Sequence, residues 1–279
     1  MYIRETFATK IEQRIEPVVK VSNRHPMVVL DELTHLVVTP QWEKYLHRML
    51  EEYTDAFDAE DEREIGIWIS GFFGSGKSLL MKMLGILLEG GEVEGQSIHE
   101  LFLKRLPANN QERNDIERFL AVCQNRISTS LVGGNLHAIM ATGNDPLALI
   151  AFKFFSIERG YTQNWAFAWT IEYQIDTRGR TDQFRQRVSE LSGVTWRKVV
   201  RDTDIYGEDL YQAAAEVLPE YFSGPDAVQQ AVTQTFHTGI EPRTLIERLL
   251  RWCENQDRGG RKHKLLLQLD ELGQWLQSG

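Results

Sequence analysis

Eight consecutive residues carry the densest chemistry in this chain: Gly71, Phe72, Phe73, Gly74, Ser75, Gly76, Lys77 and Ser78. They fit the pattern G-x-x-x-x-G-K-[ST] in full. Glycines let a backbone turn tightly and bring its N–H groups up to anionic oxygens. A helix opening near Lys77 adds unpaired N–H groups and the positive end of its dipole. The Lys77 ammonium can reach β and γ phosphates, and the Ser78 hydroxyl can ligate Mg²⁺. All eight residues are read as nucleotide-binding, Ser78 also as a metal ligand, and ATP with Mg²⁺ as the implied cofactor.

The flanking pattern supplies the context that such a loop needs. Ile65, Ile67 and Ile69, with Trp68 between them, predict a short buried strand. After Ser78 come Leu79, Leu80, Met83, Leu84, Leu87 and Leu88, a helical spacing with a wide apolar face. Gly90 and Gly91 end that helix. An ordinary glycine turn in an α/β domain is the bland alternative. It is disfavoured because several residue types stand at fixed offsets in a strand–loop–helix order.

The second chemical signal lies roughly 190 residues later. Leu265, Leu266, Leu267 and Leu269 predict a short apolar strand ending in Asp270 and Glu271. An acid at the end of a buried strand suits a Walker B aspartate, which holds Mg²⁺ directly or through water. Glu271 is read as the catalytic general base that polarises the attacking water. A similar stretch, "VLDEL" at residues 29–33, precedes the loop; Asp270 and Glu271 are preferred because they follow it and a helix–turn. The long interval exceeds what one βαβ crossover needs, which predicts an insertion.

These elements imply an α/β fold: a parallel P-loop NTPase sheet flanked by helices, with a mostly helical insertion between the two motifs. Residues 1–58 read as an N-terminal α+β segment, with strand character at 18–21, 27–30 and 36–38. Thr39 and Pro40 look like an N-cap and first helical position. The helix after them carries Trp42, Tyr45, Leu46, Met49, Leu50 and Tyr53 as a core stripe. Residues 59–145 form the first part of the NTPase core, with a second strand at 119–127 and "ISTSLVGGN" as a polar loop. Residues 146–241 are the helical insertion, with helices at 147–157, 165–175, 182–191, 210–217 and 227–236. Residues 242–279 return to the core through a helix at 243–254.

Weaker signals are an arginine-rich stretch at 178–201, read as solvated helix faces because acids interleave it, and Asn125, placed at a strand end near the site. His137 and His263 have no ligand-spaced partners. Cys123 and Cys253 read as buried thiols in a reducing cytoplasm. The net charge of −9 argues against a generally basic surface and leaves a local patch open. No run approaches the roughly 20 apolar residues of a membrane span, and the first residues lack a signal-peptide core. A cytoplasmic protein without a membrane partner is expected.

Three blocks give a resemblance: "IRETFATKIEQRIEPVVKV", "ELTHLVVTPQWEKYLHRMLEEY" and "IGIWISGFFGSGKSLLMKMLGILL", with "LLLQLDELGQ" later. They resemble the N-terminal portion of the BrxC/PglY family, P-loop ATPases of BREX (bacteriophage exclusion) and phage growth limitation systems. The resemblance implies Lys77 and Ser78 as nucleotide and Mg²⁺ contacts and Asp270 and Glu271 in the Walker B roles. It also implies other BREX proteins as partners and a role in restricting phage DNA. A homo-oligomer and a local or indirect DNA contact stay open. Family members are much longer. By analogy with such ATPases, a strand later in sequence would lie between residues 65–69 and 265–269, so the sheet is expected to be incomplete at the C-terminus. These 279 residues alone are then expected to hydrolyse little ATP. The rival reading is a nucleotide-gated scaffold that binds ATP and organises a defence complex without significant hydrolysis.

Overall fold

A computed structural model of the chain describes residues 19–58, 66–72, 74–108, 110–139, 145–273 and 275. The elements are α1 (Pro26–His35), α2 (Pro40–Asp58), α3 (Lys77–Glu89), β1 (Glu92–Val93), β2 (Gln96–Ser97), α4 (Ile98–Leu103) and α5 (Gln111–Arg126). Then come β3 (Ile127–Asn135), a 3₁₀ turn at Leu136–Ile139, α6 (Leu147–Arg159) and α7 (Trp165–Phe167). A π-helical turn, Ala168–Glu172, continues α7 into α8 (Tyr173–Thr177). The chain ends through α9 (Thr181–Ser192), α10 (Trp196–Arg201), a 3₁₀ turn at Thr203–Tyr206, α11 (Gly207–Val217), α12 (Pro225–Thr238), α13 (Pro242–Glu254) and β4 (Lys262–Asp270).

The fold is mixed α/β and mostly helical. β3 and β4 are parallel and in register from Ile127 opposite Lys262 to Asn135 opposite Asp270. Leu266 of β4 packs with the core of α1–α5, whereas Leu265 and Leu269 pack with α6 and α13. Helices therefore cover both faces, as a parallel pair requires. A separate core, including Phe167, Phe184, Val188 and Leu210, holds α7–α12 together. This helical unit is clasped to α13 through Arg248, whose guanidinium lies 3.9 Å from the Trp169 ring centroid and donates to the Trp169 carbonyl (2.6 Å). Tyr173 in turn donates its hydroxyl to the Arg248 carbonyl (2.6 Å).

α3 lies unusually close to the sheet. A Cβ at Gly85 would stand 2.8 Å from both Leu131 Cδ2 and Gln268 Nε2. Gln268, buried on β4, donates to the Met81 carbonyl (2.6 Å). Lys82 is fully buried and pairs with both Glu32 oxygens, at 2.7 and 2.6 Å, which ties α1 to α3. Burial raises the Glu32 pKa, against the lowering effect of the Lys82 ammonium.

Several expected strands are something else. Residues 27–30 belong to α1: Pro26 presets its first turn, and Val29 and Leu33, four apart, are its buried side. Residues 36–38 form no strand, and residues 20–23 make a turn closed by Asn23 N–H on the Lys20 carbonyl (3.0 Å); Val18 lies outside the described residues. The described part of the N-terminal segment is thus helical. Of residues 119–127, only Ile127 belongs to a strand; 119–126 are helical. Phe119, Leu120 and Cys123 continue the buried face that Ile116 begins in α5, a helix capped by Asn110 accepting from Arg113 N–H (2.7 Å). "ISTSLVGGN" is not a loop but β3, with Ile127, Thr129 and Leu131 buried in alternation with Ser128 and Ser130.

The expected strand at 65–69 is also corrected. Ile65 lies outside the described residues; residues 66–70 form neither helix nor strand and have no ladder partner among the described residues, and Trp68 is 66 % exposed. β4 pairs with β3 alone among the described residues. The predicted helices at 39–53, 79–88 and through residues 147–254 are present with small changes at their ends.

Glu172 gives the fold a pH dependence. It closes the π-helical turn, is 4 % exposed, and accepts from Thr162 N–H (2.9 Å) and Thr162 Oγ1 (2.6 Å). Burial pushes its pKa from 4.5 up to about 7, against the two Thr162 bonds and the Arg185 charge. The folded state therefore holds this proton at pH values where the unfolded chain has released it. Stability must fall as pH rises from about 4.5 to about 7 and then level off, a loss of a few kcal/mol. Glu172→Gln, which keeps an acceptor but cannot ionise, is expected to flatten this slope. Chemical denaturation of both proteins at pH 5 to 8 measures it; parallel curves for the two would contradict the assignment.

Candidate functional site

The glycine loop reaches α3 through backbone shapes that need glycine. Gly74 has φ 78° and Gly76, the residue before the helix, φ 85°. Ser75 N–H closes a turn on the Phe72 carbonyl (3.2 Å). Gly76 then accepts from Leu80 N–H (2.9 Å), the first bond of the helix. No side chain caps α3, so its first N–H groups have no protein acceptor from a cap. The Lys77 ammonium folds back onto the Phe72 carbonyl (2.8 Å). The Phe72 ring is 92 % exposed. Phe73 lies outside the described residues.

The fold brings the two sequence motifs together. Ser78, in the first turn of α3, donates its hydroxyl to Asp270 Oδ1 at the end of β4 (3.2 Å). Alternation along β4 explains the meeting. Leu266, Gln268 and Asp270 share one face, and α3 covers that face. Glu271 follows directly, with its N–H donating to Asp270 Oδ1 (3.0 Å). Its φ is 64°, in the left-handed region.

Asn135 is the site residue that sequence reasoning missed. It ends β3 directly opposite Asp270 in the ladder, and in a parallel pair facing residues point the same way. The signal was the alternation in "ISTSLV", masked by the two glycines after it. Those glycines are structural: a Cβ on Gly133 (φ 138°) would stand 1.9 Å from the Gln268 carbonyl oxygen. Asn125, by contrast, sits on the exposed side near the end of α5, next to the opposite end of β3, and does not approach Asp270.

The other candidates are structural. Asp31 and Glu32 of "VLDEL" lie on α1, with Glu32 occupied by Lys82. Arg180 pairs with Glu220, Arg187 with Glu216 and Arg201 with Asp202, as expected of solvated faces. His263 stands edge-on to Trp252, its Nδ1 3.2 Å from Ser128 Oγ. Both cysteines are buried and free, their thiols pushed up to about 12 (Cys123) and about 11 (Cys253) by burial. Neither is a nucleophile at neutral pH. No helix among the described residues is long and apolar enough to cross a membrane. No protein-family model matches the chain, and neither does any solved structure.

The left-handed backbone at Glu271 costs a residue with a Cβ roughly 1 kcal/mol. Glu271→Gly is therefore expected to raise the melting temperature by about 2 °C while removing the carboxylate. Thermal unfolding checks it; a lower melting temperature would show that the Glu271 side chain is held for packing.

Proposed function

We propose that this chain is the ATP-binding and ATP-hydrolysing module of a BREX-type defence protein, built on a P-loop NTPase fold. The observation that carries the reading is the Ser78–Asp270 contact, which joins residues 192 positions apart at the mouth of the glycine loop. A Mg²⁺ site is assembled from a Ser hydroxyl, a strand-end Asp, phosphate oxygens and water, without an all-protein cage. No group of three or more His, Cys, Asp or Glu residues among the described residues is set to hold a metal by itself.

In this reading the backbone of Gly71–Ser78 and the open N-terminus of α3 bind the phosphates. Lys77 exchanges the Phe72 carbonyl for a β or γ phosphate oxygen. Ser78 and Asp270 are the residues that would hold Mg²⁺, and the ion would supply charge neutralisation at the phosphates. Glu271 takes the proton of the attacking water. Asn135, beside Asp270, can orient the carboxylates or that water. Other BREX proteins in a bacterial cytoplasm are the partners that the sequence resemblance suggests.

Melting in the presence of ATP and Mg²⁺ tests the binding. At a hundredfold excess over Kd, mass action stabilises the wild type by about 2.7 kcal/mol. Lys77→Ala is expected to lose most of this shift and to keep the unliganded melting temperature, because its only hydrogen bond among the described residues is to a loop carbonyl. Glu271→Gln is expected to keep the ATP shift while turnover, measured with partner proteins present, drops about 10²–10⁴-fold. Equal shifts in wild type and Lys77→Ala would overturn the nucleotide site. Unchanged turnover in Glu271→Gln would remove Glu271 as the base.

A further inference from the structure

At the other end of β4 the chain enters the strand through a tight turn. Arg258 and Arg261 exchange backbone bonds (3.3 and 3.1 Å) across Gly259 and Gly260, whose φ values are 60° and 78°. Both glycines are needed for this two-residue hairpin loop. The Arg261 guanidinium donates twice to the Ile127 carbonyl, at 3.1 and 2.5 Å, which fixes the turn to the start of β3. The turn is therefore a preformed platform.

Its charge is concentrated. Residues 258–264 contain Arg258, Arg261, Lys262, His263 and Lys264, in a chain whose net charge is −9. The Lys262 ammonium lies 6.0 Å from the Phe57 ring, against which Arg126 of α5 also rests (4.8 Å). Several other surface arginines sit on carboxylates, as Arg187 on Glu216 and Arg243 on Glu247. Among the described residues, Arg258, Lys262 and Lys264 have no carboxylate within ion-pair distance. Asp257, the nearest acid in sequence, accepts from His263 N–H (2.6 Å).

We propose that this basic turn is a docking surface for a nucleic-acid backbone, held by phosphate contacts without base reading. Lys262 and Lys264 are two residues apart on one strand face, a repeat of about 6.6 Å, while Arg258, bridged to Arg261 across the turn, stands on the other face, so cations line both sides of the turn. Donors spaced in this way suit a regularly charged polymer. A lipid surface is a poorer fit, because the turn carries no apolar side chain to insert. The turn lies about 26 Å along β4 from Asp270, so occupancy there leaves the nucleotide site open.

The test is fluorescence anisotropy of the 279-residue chain with a labelled duplex of about 20 base pairs and arbitrary sequence. Three phosphate contacts, from Arg258, Lys262 and Lys264, predict a salt slope of about −2.7, hence roughly fortyfold weaker binding between about 50 and 200 mM salt. Arg258→Glu/Lys262→Glu/Lys264→Glu is expected to abolish binding. The same charge change placed elsewhere, Arg48→Glu/Arg201→Glu/Arg243→Glu, should retain it within about threefold. Should the first variant melt early, Arg258→Gln/Lys262→Gln/Lys264→Gln serves instead, with the slope smaller by about 2.7. No duplex binding at low salt would overturn the proposal. So would equal losses in the turn and control variants, or capture by phosphatidylserine vesicles in place of the duplex.

Discussion

The position of α3 depends on one close approach. Gly85 has no side chain, so the helix settles onto Leu131 and Gln268 at a distance that any Cβ would violate. From that contact the rest follows by counting. α3 runs opposite to β4, so moving from Met81 back to Ser78 matches moving from Gln268 forward to Asp270. Three helix residues cover about 4.5 Å and two strand residues about 6.6 Å. Met81 meets Gln268, and one turn earlier Ser78 meets Asp270. A larger residue at position 85 would displace the Leu131 methyl and the Gln268 amide that now meets the Met81 carbonyl.

Charge fixes what packing has placed. Lys82 lies on α3 four residues after Ser78 and is sealed against Glu32 of α1. Removing either partner leaves an unpaired buried charge, which costs about 3–5 kcal/mol. α1 is thus held to the helix that opens the glycine loop. Arg24, just before α1, reaches Glu89 at the end of α3 (3.2 Å) and Glu158 at the end of α6 (2.6 Å). These two helices pack in the cores on opposite faces of the sheet, so one guanidinium links both layers. Arg248 does the same for the helical unit and α13, with aromatic faces where the other two use carboxylates. Movement of the helical unit would reach β4 through α13, the element immediately before it.

The legible parts of the sequence were those set by local chemistry. The glycine loop, its helix, the Asp270-terminated strand and the helices from 147 to 254 follow from offsets of three, four or two residues and from caps such as Thr39, which accepts from Trp42 N–H (3.2 Å). The errors share a cause. Residues 119–127 and 27–30 are apolar runs too short to separate strand from helix, and only the helix starts at Asn110 and Pro26 decide. β3 was hidden because its glycines serve a neighbour: Gly133 makes room for the Gln268 backbone, a contact between strands more than a hundred residues apart. Asn135 was hidden with it. Residues 66–70 had a strand's composition, but a strand is defined by its partner, and β4 gives its ladder to β3.

β4 has opposite chemistry at its two ends. Arg261, Lys262 and Lys264 mark its start, Asp270 and Glu271 its finish, with leucines between them. The separation of about 26 Å is several Debye lengths at physiological salt, where that length is about 8 Å. Each end therefore responds to its own surroundings, and the net charge of the chain decides neither. At the finish, Asp270 meets Ser78 in the first turn of α3, and Glu271 follows it. At the start, Arg258, Lys262 and Lys264 have no carboxylate within ion-pair distance among the described residues, and a Gly-Gly turn fixes them. The parallel ladder that fixes Asn135 beside Asp270 also fixes Ile127 beside Lys262, where the Ile127 carbonyl anchors Arg261. One register thus places the acids at one end of the sheet and the cations at the other. A slip of one residue would turn both sets to the wrong face.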